Sequence, residues 1–361
     1  MRYPHTVSDP KPSEGSSRDT RRRFEQWARN PRCQANAISA ILDVPMRHVA
    51  TKEGAKGTFG QSPFALARGQ RFEFYAFKDD AARLREQLEQ ASVLSSGSAG
   101  FADFRLKRAG GPCASLDAAR QHTERWLKEL ADGSRRETIS AGATICIPGG
   151  VMLPSATLCV DALAIRHQGD AVELVVGEIK VYPDRNGFTD ATQLATSRAQ
   201  AGMYVHGLRL VIQQLGIGDR VRVSDRGFLV LSRAGSNYLS VRANEDFAGQ
   251  ARRAEEGLAS LSECADTLAL KPMSADLALP VIQRAGTSLC EDCLSFCERV
   301  EICRQHAESR GDGAILGDAV HRYLGGISLE RVRALRNGAD PTDDHEAEIA
   351  ALLKRVEASH G

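Results

Sequence analysis

Apolar and polar positions fall into short strand-like runs in the middle of the chain and helical repeats on either side. Residues 138–147, 157–165 and 171–181 are apolar runs closed by Gly, Pro or Asp turns, which predicts strands. The third is apolar nearly throughout, at Val172, Leu174, Val175, Val176, Ile179 and Val181, as in a strand covered on both faces. Ahead of them, 115–130 places Leu116, Ala119, Trp126, Leu127 and Leu130 at helical spacing behind a Ser115 cap. Behind them come a helix over about 190–215, strands at 227–231 and 238–242, and a long helix from about 244 to 261. No repeat of fixed period is present. The order implies an α/β (α+β) fold, a mixed central sheet flanked by helices (αβββαββ).

The flanks read differently. Residues 1–22 are rich in Ser, Pro, Asp and Arg, with Arg21 to Arg23 a solvated basic run, and are expected to form a disordered lead-in. An N-terminal helical segment is expected over 23–110. It holds a periodic stretch at 35–42, mixed loop and short helix at 60–73, an amphipathic helix at 79–94 and a Ser- and Gly-rich loop at 95–100. The core is then 111–268, a cysteine segment 269–312, and a helical tail 313–361 whose last helix is capped by the Pro341 to His345 turn. The tail carries no identifiable chemistry, and an end-cap or partner-docking role is expected of it.

Composition narrows the class. Apolar residues are 42% and charged residues 26% of the 361, with no secretory pattern at the start and no apolar run of bilayer length, so a cytoplasmic protein outside the membrane is expected. The net charge is only +1, so any nucleic-acid binding must come from a local basic groove. Nine cysteines without a signal peptide argue against a disulfide framework and for metal ligation where they cluster.

The candidate chemistry lies between Asp161 and Tyr204. Strand alternation puts Glu178 and Lys180 on one face and Ile179 on the other, and a hairpin brings Asp161 beside them. Two carboxylates and an ammonium at one rim suit a hard divalent cation. Gln200 and Tyr204, four apart, share a helix face. Charges within so apolar a strand need a reason.

Asp161, Glu178-Ile-Lys180 and Gln200-Ala-Gly-Met-Tyr204, in this order of elements, resemble the PD-(D/E)XK nuclease superfamily, and the Gln-x-x-x-Tyr element its RecB-like exonuclease branch. The chain departs from the motif at Val160, where a Pro is common. The resemblance implies a restriction-endonuclease-like core and a metal-dependent nuclease, a DNA exonuclease or flap-type enzyme, with Mg2+ or Mn2+ held by His122, Asp161, Glu178 and the Ile179 carbonyl. Lys180 would position or deprotonate the attacking water, and Gln200 and Tyr204 would orient ligands or phosphate. DNA, as single strands or ends, is the implied partner, with a helicase or a defence or repair complex as possible company.

One group of that branch, including CRISPR-associated RecB-like exonucleases and the AddB nuclease domain, joins an N-terminal cysteine to three C-terminal ones around a 4Fe-4S cluster. The chain is similar over about 32–305, with Cys33 before the core and Cys290, Cys293 and Cys303 after it. Four thiolates are the usual set for such a cluster. Nine residues separate Cys293 from Cys303 where five are usual, while five separate Cys297 from Cys303, so Cys297 is an alternate ligand for Cys290 or Cys293. A zinc site built by the four C-terminal cysteines alone stays open. So do a nucleic-acid-binding scaffold with an inert core and a redox sensor. Cys113, Cys146, Cys159 and Cys264 are expected to be small core residues.

Overall fold

The structure, a computed structural model, describes residues 27–28, 30–55, 63–148, 155–234, 236, 238–290, 293–311, 313 and 317–360. The lead-in expected over 1–22 lies outside them. The chain divides into two compact units, one spanning Gly60–Lys271 and one that joins Arg22–Phe59 to Pro272–Gly361. The N-terminal segment expected at 23–110 is therefore split, and its second half belongs with the core.

From the N-terminus, α1 (Gln34–Ile41) and α2 (Met46–Lys52) belong to the smaller unit. The larger unit runs α3 (Pro63–Ala76), α4 (Lys78–Gln90), β1 (Phe101–Asp103), α5 (Leu116–Ala131), β2 (Ile139–Ile147), β3 (Ala156–Gln168) and β4 (Ala171–Asp184). It continues with α6 (Ala191–Leu215), β5 (Val221–Val223), β6 (Arg226–Arg233), β7 (Leu239–Asp246) and α7 (Ala248–Thr267). The smaller unit resumes with α8 (Ala275–Arg284), α9 (Cys293–Phe296), α10 (Val300–Arg310), α11 (Asp318–Leu324), α12 (Leu329–Arg336) and α13 (Asp344–His360). The helix–strand order from Ser115 onward is the expected one with the short β5 added, and the short β1 precedes it. Neither β1 nor β5 is long enough to show alternation, being three residues each. The long helix starts at Ala248 and not near 244, because β7 stays paired with β6 as far as Asp246 opposite Arg226.

Among the described residues seven strands form one mixed sheet in the order β1-β2-β3-β4-β6-β7, with β5 also on β4. β2, β3 and β4 are antiparallel, whereas β4 runs parallel to β5 and β6. β4 is thus an inner strand, which explains its nearly continuous apolar run. One face packs Ile139, Ala162, Ile179, Phe228 and Val230 against Phe72, Phe77, Leu84 and Leu88 of the α3–α4 region. α6 lies against β2, β3 and β4, its first turn capped by the Asp190 side chain on the Gln193 amide and its end closed by Gly216 in the left-handed region. α5 begins at the expected Ser115 cap, whose side chain accepts from the Ala118 amide.

Gly177, next to Glu178, has no room for a side chain: a Cβ there would stand 2.2 Å from the Phe228 ring. Phe228 is its neighbour across β6 and is fully buried, so the ring cannot swing away. Gly177→Ala is expected to destabilise the larger unit by about 1–3 kcal/mol, read as a lowered urea midpoint. An unchanged midpoint would show that the ring is not confined as described.

Candidate active site and cysteine site

β4 changes partners at the candidate site. It pairs with β3 up to Gly177 opposite Ala162, and with β6 from Gly177 onward. The next positions in register, Asp161 and Glu178, face each other where the strands part. The Asp161 carboxylate fills the gap, Oδ2 accepting the Ile179 amide at 3.0 Å. Lys180 Nζ stands 3.8 Å from the same oxygen and is ion-paired with Glu178 Oε1. Glu178 is fully buried, while Asp161 and Lys180 each keep 20% of their side-chain surface open, enough for a ligand to reach them. Ile179 points into the opposite core, as alternation requires.

α6 adds the polar pair. Gln200 Nε2 donates to Tyr204 Oη at 2.7 Å, and Tyr204 donates onward to Asp161 Oδ1 at 3.4 Å. Both side chains are about 99% buried, so this relay is held by packing. Five of the expected residues, Asp161, Glu178, Lys180, Gln200 and Tyr204, are therefore together, with the Ile179 backbone among them.

His122 is not with them. It lies on the exposed side of α5, its Nδ1 3.8 Å from Cys113 Sγ. The next residue, Thr123, faces the sheet and accepts the Thr144 amide at 2.9 Å, which turns His122 about 100° away around the helix. Among the described residues no three His, Cys, Asp or Glu side chains form a group able to hold a metal ion. The expected donor set of His122, Asp161 and Glu178 thus reduces to its two carboxylates.

Two polar residues here carried no sequence signal. Asp184, at the end of β4, is buried and accepts from Gly187 N, Thr189 Oγ1 and Ser240 Oγ at 3.1, 3.2 and 2.6 Å, fixing the turn into α6. Arg242 pairs in register with Leu229, which pairs with Glu178, so Arg242 shares the Glu178 face two strands away. Each reads in isolation as an ordinary surface charge, and only the sheet register reveals its place.

In the smaller unit, the cysteines converge from both chain ends. Asn30 donates to Ser288 O at 2.6 Å and to Cys293 Sγ at 3.2 Å, and Gln34 and Gly286 exchange hydrogen bonds. Cys33, Cys293, Cys297 and Cys303 are buried. Burial pushes the Cys297 thiol up strongly, with Cys293, Cys303 and Cys33 adding to the rise. Cys303 is raised to about 11 by burial, with Arg299 opposing and Cys33 and Cys293 adding. These four thiols feel one another's charge, although they do not stand as a closed ligand cage. Cys290 is half-buried and meets Cys293 at 3.7 Å between sulfurs. The fully buried Arg299 is bound through Nε and Nη2 to Glu53 at 2.6 and 2.7 Å, while its Nη1 is buried with no hydrogen-bond partner among the described residues. Of the other cysteines Cys113 is buried as expected, but Cys146, Cys159 and Cys264 are only partly so.

No protein-family model matches the chain, and no curated protein matches it. A solved structure described as "Crystal structure of SSO0001" matches at 12% identity over 60% of this chain and 84% of that one, with a TM-score of 0.20. So low a score places no constraint on the fold. No helix among the described residues is long and apolar enough to cross a membrane.

Alkylation of the metal-free native protein checks the cysteine assignment. At about pH 8, Cys290 is expected to label ahead of Cys297 and Cys303, whose raised pKa keeps them protonated, with Cys303 labelling rising only as pH approaches about 11. Equal labelling of all three near neutrality would contradict the shared buried environment.

Proposed function

We propose that the larger unit is a metal-dependent nuclease with a restriction-endonuclease-like core, acting on DNA as a phosphodiester hydrolase of the RecB-like exonuclease kind. The observation that carries this reading is the meeting of Asp161, Glu178 and Lys180 where β3 and β4 part. A fully buried carboxylate in an apolar strand is costly unless a cation compensates it. Mg2+ asks for only one or two carboxylates, completing its shell with water and substrate phosphate, so two carboxylates with the Ile179 carbonyl fit it, and Mn2+ likewise, without His122. Such an ion, when bound, polarises the scissile phosphate and acidifies a bound water.

The protein's own groups do the rest. Asp161 is fixed by the Ile179 amide and Tyr204, so its carboxylate is aimed before any ligand arrives. Lys180 is partly open and ion-paired with Glu178 beside Asp161, so its ammonium would stand next to a phosphate held at the site, where it would neutralise charge or move a proton. Gln200 positions Tyr204 and so acts through it.

For the smaller unit the proposal is a structural iron–sulfur cluster, 4Fe-4S, on Cys33, Cys293, Cys297 and Cys303, with Cys297 in the place first expected of Cys290. Four buried thiols in mutual electrostatic reach supply the donors. The orphaned Nη1 of Arg299, whose charge is felt by Cys303, fits an anionic group there.

Two experiments test the reading. Glu178→Ala and Lys180→Ala, in protein verified as folded, are expected to cut Mg2+- or Mn2+-dependent degradation of DNA by about 10²–10⁴-fold; cleavage at the parent rate removes the proposed site. Anaerobically purified protein is expected to be brown and to carry iron, and Cys33→Ala to lose both. Zinc content unchanged by Cys33→Ala would instead favour a local zinc site on the C-terminal cysteines.

A further inference from the structure

Beyond Lys180, β4 leads into a small rigid turn. Arg185 and Phe188 exchange backbone hydrogen bonds at 2.9 and 3.2 Å around Asn186 and Gly187, whose φ values are +54° and +92°. Asn-Gly with both residues in the left-handed region is the hairpin turn that a tight two-residue connection prefers. The turn is tied from beneath by Asp184 to Gly187 N and from the side by Arg242 Nη1 to Gly187 O at 2.8 Å. On this fixed base Phe188 is 80% exposed. At the neighbouring β6–β7 connection Tyr238 is 64% exposed, and its carbonyl accepts from Arg233 N while Ala234 N donates to Asp184 O. Arg185 and Arg233 are exposed, and neither guanidinium has an ion pair among the described residues.

Phe64 and Phe74 are also exposed, at 81% and 55%, but Phe188 and Tyr238 differ from them in standing on hydrogen-bonded turns with an exposed arginine beside each. A protein-docking patch calls for contiguous apolar surface, whereas here each ring is flanked by an uncompensated guanidinium. Aromatic faces interleaved with free cations match unpaired bases and their phosphates. Bases inside a duplex have no free face to offer, so the match is to single strands. The place is also right. Arg242, which grips the turn, lies in register with Glu178 about 10 Å away across two strand spacings, on the same face.

We propose that the Arg185–Phe188 turn, with Tyr238 and Arg233, is a stacking platform for single-stranded nucleic acid that holds the bases beside the strand entering the Asp161–Glu178–Lys180 site. The inference rests on the nuclease reading and names its substrate form. Binding is measured on the full-length protein in EDTA, where metal-dependent cleavage is silent, by anisotropy of a short fluorescein-labelled oligothymidylate. Phe188→Ala is expected to weaken binding about 5- to 100-fold and Phe188→Trp to retain it. Arg185→Ala with Arg233→Ala is expected to flatten the salt dependence by about 1.4 in log–log slope, the share of two phosphates. A blunt duplex of the same length is expected to be indifferent to Phe188→Ala. Wild-type affinity in the Phe188→Ala protein, or no binding by the parent, overturns the platform. Parent-rate Mg2+-dependent cleavage by Phe188→Ala beside unchanged binding would leave the nuclease reading standing. A parent that neither binds nor cleaves removes both.

Discussion

The arrangement of the larger unit depends on one exchange of partners: β4 leaves β3 after Gly177 and continues against β6. Where an inner strand loses a neighbour, its amides would be left buried and unpaired, at a cost of about 1–3 kcal/mol each. Asp161 resolves this by accepting the Ile179 amide with its side chain. That single hydrogen bond closes the gap between the strands and fixes a carboxylate opposite Glu178. The opening in the sheet and the aim of the carboxylate have the same cause, so any ligand of the site meets acceptors already in place.

The charges sharpen the same point. Replacing a buried ion pair by apolar residues of similar size is often neutral or stabilising, so Glu178 and Lys180 cannot be explained as a device for holding β4 in its sheet. The surrounding strand is apolar and packs on both faces without them. Asp161 and Lys180 are moreover reachable from solvent, which an interior pair serving only stability has no reason to be. The Gln200–Tyr204–Asp161 relay restricts one carboxylate oxygen, while Glu178 and Lys180 are ion-paired with each other.

Sequence legibility followed length and periodicity. β2, β3, β4 and α6 are long enough for alternation or caps to identify them, and alternation alone put Glu178 and Lys180 on one face with Ile179 on the other. Spacing on a helix likewise paired Gln200 with Tyr204. What failed was the azimuth of isolated residues: His122 is one position from the buried Thr123, and a helix of uncertain rotation does not tell the two apart. Long-range features were invisible for a different reason. Asp184 and Arg242 acquire their roles from partners 56 and 55 residues away, Ser240 and Gly187, and no local pattern encodes such pairs. The choice between Cys290 and Cys297 is open in spacing: Cys297 is buried like Cys33, Cys293 and Cys303, whereas Cys290 is half-buried with its sulfur 3.7 Å from that of Cys293.

The smaller unit poses a chain-entropy problem, because its two pieces are separated by the whole of the larger one. Asn30 and Cys293 are 263 residues apart, and bringing such distant segments together is opposed by loop-closure entropy that a few hydrogen bonds offset only in part. In the chain-entropy account, a cross-link closing a loop of this length restricts the unfolded chain by roughly 5 kcal/mol. The proposed cluster, bonded to Cys33 and Cys293, would be such a cross-link, and the Arg299–Glu53 pair alone is a weak substitute, since Arg299 must be stripped of water to form it. The proposed catalytic groups all lie in the other unit. Loss of the cluster would therefore act through the tie between the chain ends, leaving Asp161, Glu178 and Lys180 chemically intact.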